Sequence, residues 1–520
     1  MDRPLGYSRR SHAANPETHP MPPSPTLSRR IAMAIGLMVG FYLLALLMAG
    51  GLLYLPLAAA QSTGETDVWV TTYCVLGAGF ILWSVAPRRD RFKAPGPRLR
   101  PAEQPQLFAE LESVARATGQ TLPSEVYLIH DLNASVSERG GLMGFGGRRV
   151  MALGLPLMQV LTVAQFRGVI AHEFGHYQAG DTRLSPWIYR THAATARMLD
   201  ASPNSRGLLG ILRLPFFLYG RLFLRLTQAD SRRQEHAADA TASRIVGPAC
   251  VAAGLRVIHR LAPAYEEFLS REFLPVIGAG FLPPLAEGFH HFVQVGEGSA
   301  RRSSDLYGDG DDEKSAPYDS HPSLPERIAA LGPIPTGDAP DEGPPAVSLV
   351  NDVRGLESKL LPEVFMENGT GQPQPVSWNE VGTRVYAPHW RRLVEANRTT
   401  LSGIDLSDLP WIARNPSDLA RKLRGSDGQG LPEDAWEAGV AYAVGAAVSL
   451  SLLERGWTLE ILPGMPERVF GPSGSLHPFS LIEELASGNR SWSDWTEFLS
   501  QSGLADAALL PSPPESPAPR

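Results

Sequence analysis

The 27 residues from Ile31 to Leu57, IAMAIGLMVGFYLLALLMAGGLLYLPL, carry no charge. A helix needs about 20 apolar residues to cross the hydrocarbon layer of a bilayer. A chain with such a run either buries it as a core helix or places it in lipid. It is too long for the apolar core of a secretory leader, which spans only ~7–15 residues. A second run, Val68 to Val85, VWVTTYCVLGAGFILWSV, is shorter, with Trp69, Tyr73 and Trp83 as interfacial anchors. Two transmembrane helices are therefore expected, over 31–57 and 68–86. Arginines crowd the flanks (Arg3, Arg9, Arg10, Arg29 and Arg30 before, RRDRFKAPGPRLR after), whereas the connection AAAQSTGETD has no Lys or Arg. Positive charge stays on the cytoplasmic side. The expectation is a multi-pass hairpin anchor in a cell (inner) membrane, with the N-terminus and the large C-terminal part cytoplasmic and the bilayer itself as a partner.

The rest of the composition narrows the class. A formal net charge of −7 gives no basic surface for displacing counterions from nucleic acid, so no nucleic-acid partner is expected. Two cysteines, Cys74 and Cys250, exclude a disulfide framework and any Cys-rich metal site. Residues 1–30 and 511–520 are polar, rich in Pro and Ser or Arg, and read as disordered tails.

Between them the pattern is mainly α, of α+β class. QLFAELESVARATG repeats apolar residues at helical spacing and stops at Gly119. SEVYLIHDLNASVSER reads as extended, and a short strand is expected around Val150–Leu153. The next helix begins at a T-x-x-Q capping box, Thr162 and Gln165, and stops at Gly180. Leu208 to Gly247 is a long helical region, broken or kinked at Pro215. Arg213, Arg221 and Arg225 interrupt its apolar first half, which favours a buried or membrane-surface helix over a third span. Gly296 to Ser320 is charged, Gly/Ser-rich and aperiodic, a long mobile loop that could shut a cleft. Residues 332–345, GPIPTGDAPDEGPP, read as a linker. These boundaries separate a helical domain with a small sheet over 100–331 from a C-terminal α+β unit of unknown role over 346–510. The latter has a small-residue helix near Ala435–Glu454 and strands in WTLEIL and ERVFGPSGSLHPF.

The chemistry concentrates in VIAHEFGHYQAGD. On a helix, residues four apart share a face, so His172 and His176 present both imidazoles to one point. H-E-x-x-H on a helix is a two-ligand zinc arrangement, and Glu173 stands one position round, able to reach a water without ligating the ion. A catalytic zinc takes three protein ligands and keeps a fourth position open. SRRQEHAADA offers Glu235 and, four residues on, Asp239. Glu235 would ligate, and Asp239 would accept a hydrogen bond from a ligand histidine's other ring nitrogen. His236 is a rival ligand, but it has no matching carboxylate at that spacing.

HEFGH, then SRRQEHAAD, then HPSLPERIAAL, in that order and after apolar N-terminal runs, resembles the HtpX and CAAX prenyl protease family of membrane-associated zinc endopeptidases, which are gluzincins. The resemblance covers roughly Arg91 to Leu331 and omits the unit after the linker. It implies a zincin-like domain, one Zn²⁺ per chain held by His172, His176 and Glu235, Glu173 as general base and Asp239 behind the ligands. It also implies polypeptide substrates and a role in membrane or protein quality control. The family's edge-strand motif is matched only at Asn133 and Ala134, and its H-P pair at His321-Pro322. His321 would stabilise the oxyanion or simply cap the following helix. Arg327 is expected to pair with a buried carboxylate. Two other readings stand beside this one: a tethered interaction protein with a structural or inactive metal site, and a prenyl-peptide protease, which needs more spans to enclose a lipid chamber. The sequence says nothing about oligomeric state.

Overall fold

A computed structural model of the chain describes residues 25–65, 67–86, 92–139, 147–178, 208–298, 322–333, 343–365, 373–416, 419 and 433–510. Gly180, His321 and most of the stretches expected to be mobile or disordered lie outside them. The chain divides into two units, residues 1–89 with 181–229, and residues 90–180 with 230–520.

In the first unit, α1 (Pro25–Thr63) and α2 (Val68–Val85) are the two helices, among the described residues, that are long and apolar enough to cross a membrane. They meet along a narrow seam. Phe41, Ala45 and Ala49 repeat every four residues on α1 and face Ala78, Ile81 and Val85 of α2. The other faces stay apolar and bare, with Leu43, Leu46, Leu47, Leu55, Val68, Trp69 and Leu76 all exposed. An exposed apolar surface of that extent marks a face that meets lipid or another protein. Asp67 caps α2, its Oδ1 accepting from the N–H groups of Trp69 and Val70 at 2.8 and 3.2 Å. The start of α6 (Leu208–Val246) also belongs here, and Phe216 joins the seam fully buried. Of the break or kink expected at Pro215, the break does not occur, since α6 runs through it.

The second unit is built on a four-stranded sheet ordered β1-β2-β4-β3. Its strands are β1 (Arg98–Leu99), β2 (Glu125–Ile129), β3 (Ala134–Arg139) and β4 (Arg148–Gly154). β2 pairs parallel to β4, β3 pairs antiparallel to β4, and β3 is an edge. Around it pack α3 (Pro105–Ala117), α4 (Leu155–Val160), α5 (Val163–Gln178), the end of α6, α7 (Pro248–Phe268) and α8 (Leu285–Gly298). α5 is the central helix. Phe166, Ile170 and Phe174 stand four residues apart and are buried to 2% exposure or less. Each such burial is worth roughly 1.5–3 kcal/mol. The capping box at its start forms, the Thr162 N–H donating to Gln165 Oε1 at 3.1 Å and the Gln165 N–H to Thr162 Oγ1 at 3.2 Å.

The stretch 332–345 does not divide the hydrophobic cores. Ala346, Val350, Leu356, Leu360, Leu361, Trp378 and Val385 join the same cluster as Leu128, Phe166 and Phe289. Polar bonds pin them there. The Ala346 N–H donates to Leu161 O at 2.8 Å, the Trp378 indole to Pro284 O at 2.9 Å, and the Ala286 N–H to the buried Glu357 of α10 (Val353–Phe365) at 2.7 Å. A short parallel pair, β5 (Phe281–Leu282) with β6 (Gln374–Pro375), adds to the seam. The second core starts at Ala387. It joins α11 (Ala387–Ala396), α12 (Leu409–Arg414), α13 (Glu433–Glu454), α14 (Leu481–Ser487) and α15 (Trp492–Gln501) to a three-stranded sheet. That sheet, β7 (Thr458–Glu460), β8 (Arg468–Gly471) and β9 (Gly474–Leu476), falls where WTLEIL and ERVFGPSGSLHPF were expected to be extended. The small residues of α13 allow close packing: a Cβ on Gly445 would stand 2.7 Å from Phe479. As the sequence led us to expect, the chain is mainly helical with small sheets.

Candidate metal centre and active site

α5 carries two faces. One holds the Phe166–Ile170–Phe174 row against the core, and the other turns His172, Glu173 and His176 into a cleft. Among the described residues these three form the group able to hold a metal, with ligand atoms within 4.8 Å of one another. The two Nε2 atoms lie 3.2 Å apart. From α6, Glu235 reaches both, at 3.5 Å from His172 Nε2 and 3.8 Å from His176 Nε2. A tetrahedral zinc with bonds of 2.0–2.1 Å sets its ligand atoms about 3.3 Å apart. The two imidazoles and Glu235 fit that figure, and Glu173, also within reach, stands beside it. His236 is not among the cleft-lining residues, and its buried Nδ1 has no hydrogen-bond partner among the described residues.

What lets α6 supply Glu235 is Gly175. A Cβ there would lie 2.9 Å from Ala238 Cα and 3.2 Å from Thr241 Cβ. The missing side chain brings the two helices close enough for one carboxylate to meet both histidines. One turn on from Glu235, Asp239 is 1% exposed. Its Oδ1 sits 2.8 Å from His172 Nδ1, which leaves Nε2 facing the cleft. Arg327, on α9 (Leu324–Ala330), closes the set. Its Nε and one terminal nitrogen donate to the two oxygens of Asp239 at 2.8 and 2.6 Å, and that terminal nitrogen stands 3.7 Å from Glu235. This is the buried carboxylate pairing expected of Arg327. α9 itself starts at a Ser323–Glu326 capping box.

The charges are tuned by these contacts. Burial opposes the imidazolium of His172, but hydrogen bonds to Asp239 and Glu235 outweigh it and push the group up to about 9. Burial would raise Asp239, yet the bonds from Arg327 and His172 hold it below the ordinary carboxylate range. Glu173 is pushed up to about 7, chiefly by burial, against the opposing pull of His172 and the Val136 N–H.

Glu173 also touches the sheet. Its Oε2 accepts from the Val136 N–H of edge strand β3 at 3.2 Å. Antiparallel pairing alternates inward and outward backbone groups, so Ala134, Val136 and Glu138 turn theirs away from β4. Of the two edge residues expected to meet substrate, Ala134 is buried with its N–H bound by Asn133 Oδ1 at 2.8 Å, and both line the cleft. The contact between Val136 and Glu173 was not anticipated. Only the pairing register reveals which strand residues turn outward.

A helix-borne histidine pair with a carboxylate from a second helix, a neighbouring glutamate and an edge strand defines a metallopeptidase-type site. Comparison with known proteins agrees. Residues 101–334 match the family model for Peptidase family M48. A Protease HtpX homolog from Sulfurihydrogenibium sp. (strain YO3AOP1) is 29% identical over 192 residues, which cover 33% of this chain and 62% of that protein. The match thus spans less than two thirds of that relative. No solved structure matches the chain. Residues 101–334 are thus similar to Peptidase family M48, and part of the chain is similar to a Protease HtpX homolog.

Proposed function

We propose that the protein is a membrane-anchored, zinc-dependent endopeptidase. The observation that carries this reading is the meeting of His172, His176 and Glu235 at 3.2–3.8 Å with Glu173 beside them. The anchor is the α1–α2 hairpin, and the arginine-rich flanks favour a cytoplasmic catalytic part. The substrates are polypeptides.

His172, His176 and Glu235 would hold the ion. When bound, zinc supplies Lewis acidity toward a carbonyl and toward water. Asp239 accepts the Nδ1–H of His172 and so keeps Nε2 as the ligating atom. Arg327 balances the charge of Asp239. Glu173 takes a proton from the attacking water and delivers it to the departing amine nitrogen as the C–N bond breaks and a C–O bond forms. An extended peptide adds beside β3, its main chain aligned by the outward groups of that edge.

The test uses the full detergent-solubilised chain, with casein as substrate and zinc quantified. Wild type should release fragments, whereas Glu173→Gln should hold about one zinc and release none. Zinc bound without cleavage by wild type favours the tethered interaction protein. Cleavage at full rate by Glu173→Gln removes the general-base assignment.

A further inference from the structure

The four-stranded sheet has a second face, turned away from α5, and the pairing register fixes what it carries. Successive residues of a strand point to opposite faces. Leu99, Val126, Met151 and Val136 share one face across the four strands and pack into the core that α5 completes. Arg98, Glu125, Arg148 and Arg139 alternate with them and so stand on the other face. Glu125 is the one carboxylate that the strands place there. Arg98 meets its Oε1 at 3.2 Å and Arg148 its Oε2 at 2.8 Å, and both arginine side chains stay about half exposed. Phe92 sets its ring beside Tyr127 and against the guanidinium of Arg148, at 5.6 and 5.3 Å. That brings the exposed Lys93 to the rim of the same face. Arg139 stands directly opposite Arg148 in the register, and like charges so placed repel. Against these four cations the strands set a single carboxylate, in a chain whose formal net charge is −7.

The course of the chain points to the anion. Lys93 follows Val85, the last residue of α2, by eight positions, at most about 29 Å of extended chain. Arg88, Arg89 and Arg91 fall between them, with Asp90 as the only acid. A cluster of roughly 4–8 basic residues next to a span favours anionic headgroups, each cation strengthening association about 5-fold. A guanidinium carries about five donors, so Arg98 and Arg148 can bind a phosphate oxygen without leaving Glu125. An anion held there also relieves the repulsion between Arg139 and Arg148. We propose that this outer face, with Lys93, Arg98 and Arg148 at its centre, binds the headgroups of anionic phospholipids at a membrane surface. The proposal rests on the membrane-anchored part of the reading above and is independent of the peptidase chemistry.

The experiment uses the full chain in phosphatidylcholine vesicles that carry a fixed fraction of nitroxide-headgroup lipid and increasing phosphatidylglycerol. Ser124 is exposed and its carbonyl accepts from Arg98 at 3.3 Å, so a bimane label introduced through Ser124→Cys reports on this face. Cys74→Ala and Cys250→Ala, both at buried positions, keep the label in one place. Quenching should rise with phosphatidylglycerol and fall back in 1 M NaCl, where the Debye length is about 3 Å. Lys93→Gln with Arg148→Gln leaves Arg98 on Glu125 and removes two cations. The ratio of quenched to unquenched label should then drop ~25-fold, at about 5-fold per cation. Lys93→Glu alone, at an exposed position, should lower that ratio by at least ~5-fold and keeps the test open if the double variant does not fold. Equal quenching at every lipid composition overturns the inference, as does a rise that the variants leave unchanged. So does a signal that ignores lipid and answers only to polyglutamate, which assigns the face to an acidic protein segment. If the chain does not float with the vesicles, the anchor reading fails and the face is judged by itself. The chain added to preformed vesicles should then bind those with phosphatidylglycerol at least ~10-fold more tightly than phosphatidylcholine alone, and equal binding rejects the inference.

Discussion

Removing the cation behind the metal centre should cost far more than removing cation and anion together. Arg327 donates to Asp239 at 2.6 and 2.8 Å, and Asp239 is 1% exposed. Arg327→Met leaves that carboxylate ionised, buried and answered only by His172. Breaking one side of a buried pair costs about 3–5 kcal/mol. For a cooperative unit of 382 residues, at about 2.1 cal/mol/K of unfolding entropy per residue, the thermal midpoint should fall by about 4–6 °C. Arg327→Met with Asp239→Asn removes the stranded charge, while the amide oxygen still accepts from His172. The double variant should recover more than half of the loss, giving a coupling well above the ~0.5 kcal/mol seen for independent sites. Zinc affinity should fall by up to about 10–100-fold in the single variant, because Asp239, no longer fixed by Arg327, holds His172 less firmly. Thermal unfolding of the detergent-solubilised chain near pH 7.5 and competition with a zinc chelator measure both quantities. A double variant no more stable than Arg327→Met would refute the charge-based account of this contact.

The remaining expectations concern other parts of the second unit. Gly175→Val pushes α5 off α6 at Ala238; overpacking costs about 1–3 kcal/mol, and zinc binding should weaken along with stability, whereas intact affinity would show that the helices need not approach so closely. Glu357 is 4% exposed and pushed up to about 7, chiefly by burial. The native state therefore binds more protons than the unfolded chain between about pH 4.5 and 7, so this group's contribution is complete below that window and is lost as pH rises through it. Glu357→Gln should be more stable than wild type by about 3 kcal/mol at pH 8 and nearly equal at pH 4.5, by 1.36 kcal/mol per pKa unit; an equal gain at both pH values would refute the linkage. A chain ended after Gly332 keeps nearly all the family-matched segment but loses Ala346 through Val385 from the first core. It should show no cooperative melting, and a midpoint equal to the full chain's would show that the later residues are dispensable.

Much of this molecule is written locally. Period-four apolar residues mark α5, a two-residue capping signal marks its start, and an uncharged run marks α1. Such features depend on backbone geometry over a few turns, so a window of sequence contains them. His172 and His176 belong to the same class, because helix pitch alone puts them on one face. Glu235 and Asp239 are intermediate: their spacing shows that they share a face, but not which residues that face meets. The meeting depends on α5 and α6 crossing at Gly175 and Ala238, residues 63 positions apart.

Other features lay beyond local reading. A Pro/Gly-rich stretch at 332–345 looks like a boundary because its composition resists regular structure. Yet backbone composition does not say which apolar faces lie on either side, and Leu360 and Trp378 close the same core as Phe166. The outward N–H of Val136 is likewise set by strand pairing. The sequence by itself determined the elements, the histidine pair and the apolar hairpin, since each is a short-range property of the chain. Only the tertiary structure decided the third carboxylate's reach, the arginine behind it, the edge over the glutamate and the extent of the core, because each depends on surfaces far apart in sequence that become neighbours when they exclude water together.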